Sequence, residues 1–184
     1  EQTSSDHTSD RISSDHSLDR ISLDHSLDHI SSDHNFLDST SSPSHFLCLY
    51  TNAQSLVNKK EELQAVIDDY HPKVIGVSET WGREDVFDAM LTPEGYHPVF
   101  RTDRQGTIGG GVCLLVHSSL DVIPREDLSN SEFNESVWCQ IQLEGRDTLL
   151  IGVVYRTGSS TKHNNNALLD LFDRVKLENP SHLL

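Results

Sequence analysis

The chain has 184 residues, a formal net charge of −15 and three cysteines. That length fits one domain of modest size, and the acidic balance excludes a protein that grips nucleic acid by charge alone, because such a grip comes from Lys and Arg. Cys48, Cys113 and Cys139 show no CxxC or other paired spacing. Each falls in a predicted apolar strand, so they read as reduced core residues of an intracellular protein, nuclear or cytoplasmic. No apolar run reaches the ~18 residues of a membrane span. The polar N-terminus does not read as a signal peptide. Its lack of an initiator Met suggests a fragment or an incomplete gene model.

Residues 1–45 carry eight Asp, one Glu and two Arg, a balance of −7, which leaves −8 for the other 139 residues. Residues 4–39 are four nonapeptides: SSDHTSDRI, SSDHSLDRI, SLDHSLDHI and SSDHNFLDS. Nine residues of helix turn about 900°, which sends Ile12, Ile21 and Ile30 to alternating sides. An odd period alternates them along a strand as well. No face collects the apolar residues, and little can be buried against the entropy of ordering. Residues 1–44 are therefore expected to be a disordered tail. Its Asp-His pairs read in two ways: as a solvated tandem repeat, or as ligands for a metal such as Zn or Cu.

The remaining 139 residues can bury roughly 65–70% of their unfolded surface. Phe46 to Asn52 reads as a buried first strand. Ser55, a good N-cap, opens a helix whose stripe is Leu56, Leu63, Val66, Ile67 and Tyr70, and Pro72 stops it. Val74-Ile75-Gly76-Val77-Ser78 is an apolar run that ends abruptly at Glu79-Thr80-Trp81. A short buried run of this kind suits the centre of a parallel sheet. Strand, helix and strand make a βαβ unit, with the two strands parallel. Asn52 and Glu79 then emerge at carboxyl ends on one rim, where open α/β sheets bind ligands. Glu79 there can hold a divalent cation, or merely end a strand. Asn52 can serve the site, or merely form a turn.

An acidic helical stretch follows from Glu84 to Leu91, then a possible strand from Tyr96 to Arg101. Gly109-Gly110-Gly111 leads into the strand Val112–Val116. The glycines lack the Gly-Lys-Ser/Thr ending of a phosphate-binding loop and precede a strand, so close backbone packing or a bulge explains them better. Ser136 to Leu143 and Asp147 to Tyr155 read as an antiparallel hairpin turning at Gly145. Asn164 to Leu177 reads as a helix burying Leu168, Leu169, Leu171, Phe172 and Val175. Leu183-Leu184 looks like the opening of a further strand.

The order of these pieces resembles the endonuclease/exonuclease/phosphatase superfamily, in particular the apurinic-type endonuclease domain of non-LTR retrotransposons. The matching pieces are Asn52-Ala53-Gln54-Ser55-Leu56 with Lys60 and Leu63, then Ser78-Glu79-Thr80-Trp81, then Arg101 before Gly109-Gly110-Gly111-Val112, then Val153-Val154-Tyr155-Arg156. The resemblance spans residues 46–184. It implies an α/β (α+β) fold, part of a four-layer sandwich of two mixed β-sheets flanked by helices, over residues 45–184. It further implies a Mg²⁺- or Mn²⁺-dependent endonuclease acting on DNA, with Glu79 as the metal carboxylate, Asn52 beside metal and phosphate, and Tyr155 on the phosphate. Arg156 neighbours this motif without an assigned role. Arg101 and the three glycines are expected to be mainly structural.

The family completes its site with a later Gly-Asp-Phe-Asn motif and a terminal Ser-Asp-His, and neither occurs after Arg156. A constellation that acts as a unit loses many orders of magnitude when parts are removed. Little or no nuclease activity is therefore expected of this chain alone, and weak metal binding at most. Another phosphoesterase of the same superfamily, or a non-enzymatic protein that takes up metal through its Asp/His tail, are the alternatives.

Overall fold

A computed structural model describes residues 46–106, 109–178 and 180–184. The tail expected over residues 1–44, with its Asp-His pairs, lies outside the described residues.

The βαβ start forms as the apolar runs require. Strand β1 (Cys48–Asn52) pairs in parallel with β2 (Val74–Ser78), with Asn52 opposite Ser78. Between them the chain makes a 3-10 turn (Leu56–Lys59) and then helix α1 (Lys60–Tyr70). Ser55 does not cap this segment as expected. Its backbone is left-handed (φ 87°), and its hydroxyl accepts a hydrogen bond from the Asn58 side chain instead. Leu56 and Ile67 are buried, but Tyr70 is 50% exposed. His71, at φ 48°, ends the helix just before Pro72.

All five residues of β2 are buried, as are all five of β4 (Val112–Val116). The two lie side by side and antiparallel in the centre of the first sheet, whose order is β1-β2-β4-β3. Strand β3 is Phe100–Thr102, shorter and later than the run from Tyr96 suggested. Tyr96 contributes only a single bridge to His117. The helix expected from Glu84 is confined to α2 (Asp88–Leu91).

Strands β5 (Asp121–Pro124), β6 (Ser136–Gln142), β7 (Thr148–Val154) and β8 (His182–Leu183) form the second sheet in that order. β6 and β7 are the expected antiparallel hairpin. β8 pairs in parallel with β7, so the chain does begin a strand at its last residues. Helix α3 (Glu126–Ser129) and helix α4 (Lys162–Leu177) cover the outer face. The Thr161 side chain caps α4 by accepting from the Asn164 amide. The face of α4 that packs is Ala167, Leu171 and Val175, whereas Leu169 is 62% and Phe172 37% exposed. The expected stripe was too wide: Leu169 and Phe172 lie outside it, while Leu168 is half-buried and packs against this cluster.

Three apolar clusters define four layers. Ile67, Leu56 and Leu91 pack on one face of the first sheet against Ile75, Val77, Cys113 and Leu115. Val74, Val112, Leu114 and Val116 face Val137, Cys139, Ile141, Ile151 and Val153 across the gap between the sheets. Trp138 and Leu150 turn outward onto Leu128, Leu171 and Val175. The order is therefore helices, sheet, sheet, helices, as expected. Cys113 and Cys139 are buried and Cys48 half-buried, all as free thiols. Burial pushes their pKa values up, to about 12, 12 and 11 respectively, which keeps them protonated and unreactive. Among the described residues no helix is long and apolar enough to cross a membrane.

Gly152 lies opposite Trp138 in the hairpin, and a Cβ there would enter the indole ring. A rigid ring between a sheet and α4 cannot step aside cheaply. Gly152→Ala is expected to cost about 1–3 kcal/mol, read as a lower urea midpoint together with a changed near-ultraviolet circular dichroism of Trp138.

Candidate active site

The sheet directions bring many strand ends to one rim. β1, β2, β3 and β7 finish there, while β4 and β6 begin there. Glu79 follows the last residue of β2 directly, and Tyr155 follows the last residue of β7. They come from different sheets, and their side chains approach closely enough for the Tyr155 phenol to favour the charged form of the Glu79 carboxylate. Asn52 ends β1 at the same rim, one strand away from Glu79 and exposed. The turn amides follow the same seam: Ala53 donates to the Ser78 carbonyl and Ser55 to that of Glu79, both at 2.9 Å.

The loop holding Glu79 is strained. Glu79 (φ 55°) and Trp81 (φ 54°) are both left-handed non-glycine residues, each costing on the order of 1–3 kcal/mol. Compensation comes from a second loop laid against it. Thr80 and Trp81 donate their amides to the carbonyls of Gly111 (3.3 Å) and Gly110 (3.0 Å). In return, the Gly110 amide donates to Glu79 Oε2 at 2.8 Å. The Trp81 indole N–H donates to the same oxygen at 2.7 Å. The Gly111 amide donates to Glu135 Oε1 at 3.0 Å. The three glycines thus do pack backbone closely, as expected, and two of their amides also serve carboxylates. Gly110 needs its φ of +72°, and a Cβ on it would enter the Arg104 guanidinium and the Glu135 carboxylate.

Burial works to raise the pKa of Glu79. The Tyr155 phenol, the hydrogen bonds from Gly110 and Trp81 and the charge of Arg104 outweigh it and hold the carboxyl below its ordinary 4.5. Tyr155 responds in the opposite sense: its approach to Glu79, then burial and the Glu79 charge, push it up to about 12 against the pull of Arg104. At neutral pH the pair is a carboxylate and a protonated phenol beside it.

Two residues of this cluster had no motif to announce them. Arg104 and Glu135 form a two-pronged ion pair, with Nε to Oε1 at 3.0 Å and Nη2 to Oε2 at 2.7 Å. The Arg104 guanidinium carbon stands 5.9 Å from the centre of the Tyr155 ring. Both residues adjoin strand ends on the rim, which is the signal that could have found them. Arg101 pairs with Asp88 (3.0 Å) and Asp103 (3.6 Å) and has a structural place, as expected. Arg156 turns to Asn165 at the start of α4 (2.7 Å).

A search of solved structures finds this arrangement of sheets and helices repeatedly in nucleases. The endonuclease domain of TRAS1, a telomere-specific non-LTR retrotransposon, matches with a TM-score of 0.55 at 18% identity, over 74% of this chain and 55% of its own. The AP endonuclease LMAP from Leishmania major matches at 0.56 and 14% identity, over 69% of this chain and 47% of its own. This chain shares the fold of these endonucleases. The 3′ phosphatase NExo from Neisseria, bound to a product DNA hairpin, matches at 0.53 and 20% identity, over 74% of this chain and 54% of its own. The chain spans about half the length of these structures. No protein-family profile and no curated protein sequence matches it.

The depressed pKa of Glu79 has a sign that can be measured. Its hydrogen bonds add stability that is present above the ordinary carboxyl value of 4.5 and is lost as pH falls through the lower folded value. In urea titrations from pH 6 to pH 2, wild type should lose this increment on acidification. Glu79→Gln, which cannot ionise, should start less stable and lack that part of the pH dependence.

Proposed function

We propose that residues 46–184 belong to a divalent-metal-dependent phosphodiester hydrolase that acts on DNA, of the kind carried by non-LTR retrotransposons. The observation that carries this reading is the meeting of Glu79 and Tyr155 from opposite sheets, with Asn52 on the same rim. The fold shared with DNA-processing enzymes supports DNA as the substrate class.

The donor set fits Mg²⁺ or Mn²⁺. Glu79 offers an ionised oxygen at neutral pH, Asn52 a neutral amide oxygen, and both stand at an open rim. Mg²⁺ is characteristically held by one or two carboxylates, with water and substrate phosphate filling the other positions. When bound, such an ion neutralises charge on the phosphorus and on the leaving oxygen. The chain's own residues do the rest of the positioning. Tyr155 remains a protonated donor to high pH and can orient a phosphate oxygen without adding charge. The Gly110 amide and Trp81 keep Glu79 ionised and still, so little reorganisation is needed when phosphate arrives. Among the described residues no three of His, Cys, Asp and Glu gather to hold a metal. Neither Gly-Asp-Phe-Asn nor Ser-Asp-His follows Arg156, so the chain by itself should bind cation and phosphate with little turnover.

Mn²⁺ titrated into the chain should bind with an affinity that falls roughly tenfold or more in Glu79→Gln, and by less in Asn52→Ala. Supercoiled plasmid incubated with Mg²⁺ should be nicked slowly if at all, and any nicking should vanish with Glu79→Gln. Equal Mn²⁺ affinity in wild type and Glu79→Gln would remove the basis for this reading.

A further inference from the structure

We propose that Arg104 and Glu135 form a positioning clamp that holds the Tyr155 phenol, and through it the Glu79 carboxylate, in one fixed geometry. The clamp touches Tyr155 in two places. The main-chain carbonyl of Glu135 accepts the Tyr155 amide at 2.9 Å, which fixes the backbone where β7 ends. The guanidinium lies over the phenol ring at 5.9 Å, which sets the ring's orientation. Ring and hydroxyl move as one rigid body, so fixing the ring fixes the hydroxyl beside the Glu79 carboxylate.

The clamp is itself well anchored. Its side chains are only 25% and 12% exposed, and the ion pair is bidentate. A planar fork of this type resists rotation in a way that a single contact does not. Glu135 Oε1 also accepts the Gly111 amide, next to the Gly110 amide that serves Glu79. The two carboxylates are therefore seated on consecutive amides of one glycine loop. Displacing Glu135 shifts the loop that donates to Glu79.

The inference rests on the proposed cation site for one of its two readouts only. The first readout needs no metal. In Arg104→Gln and Arg104→Lys, the Gly110 amide should lose protection against hydrogen exchange, as followed by NMR. Lys keeps the charge but not the fork, so a positioning role predicts that it fails like Gln. Glu135→Gln, a near-isosteric change, supplies the same test should the Arg104 variants not fold. Unchanged Gly110 protection in the folded variants would overturn the proposal, because the pair would then merely tie its own loop to β6.

The second readout is Mn²⁺ affinity. Removing a positive charge beside Glu79 should strengthen cation binding if Arg104 acted through its charge alone. A positioning role predicts the opposite sign, a loss of about tenfold. Tighter Mn²⁺ binding in Arg104→Gln would overturn the proposal. A wild-type chain that binds no Mn²⁺, yet loses Gly110 protection on substitution, would refute the cation reading and support the clamp.

Discussion

Much of the rim converges on one carboxylate, Glu79, whose hydrogen-bond partners favour its charged form. A phenol approaches it from the second sheet, and an amide and an indole donate to it from its own side. A carboxylate accepting several such bonds is stabilised in its charged form, against the cost of partial burial. The sheets are tied together at this end by Thr102 to the Ser136 carbonyl, by the Gly111 amide to Glu135 and by the Arg104–Glu135 pair.

The arrangement has local costs that the chain meets nearby. Left-handed backbone at Glu79 and Trp81 is unfavourable for residues with a Cβ. The turn persists because a second loop accepts two of its main-chain amides and donates the Gly110 amide back to the Glu79 carboxylate. That loop must approach so closely that Cβ atoms at Gly110 and Gly111 would meet Arg104, Glu135 and Thr80. Glycine is thus a steric necessity here, and its conformational entropy cost is offset by the amides it delivers to two carboxylates. The buried centre of the first sheet, β2 beside β4, supplies the rigid base that this construction needs.

Two edge strands leave apolar side chains exposed: β1, with Tyr50 44% exposed, and the two-residue β8, with Leu183 53% exposed. Apolar side chains on sheet edges are ordinarily covered or interrupted by charge. Tyr50 partly resolves this by directing its hydroxyl to Ser78, 2.7 Å away.

Continuous apolar runs determined the central strands, because a strand buried on both faces can be nothing else at that length. The βαβ order then placed Asn52 and Glu79 on one rim, since parallel pairing leaves their strand ends side by side. Helix surfaces were legible less sharply: Leu169 and Phe172 are apolar yet stand beside the buried stripe of α4, and sequence does not register a helix's rotation about its axis. Tyr155 and Glu79 come together because of how one sheet lies over the other. Arg104 and Glu135 are a polar-loop residue and a strand-preceding acid in the sequence, 31 positions apart. Only the stacking of the sheets makes them a pair, because no local pattern encodes which side chains meet across a gap that the chain crosses by folding.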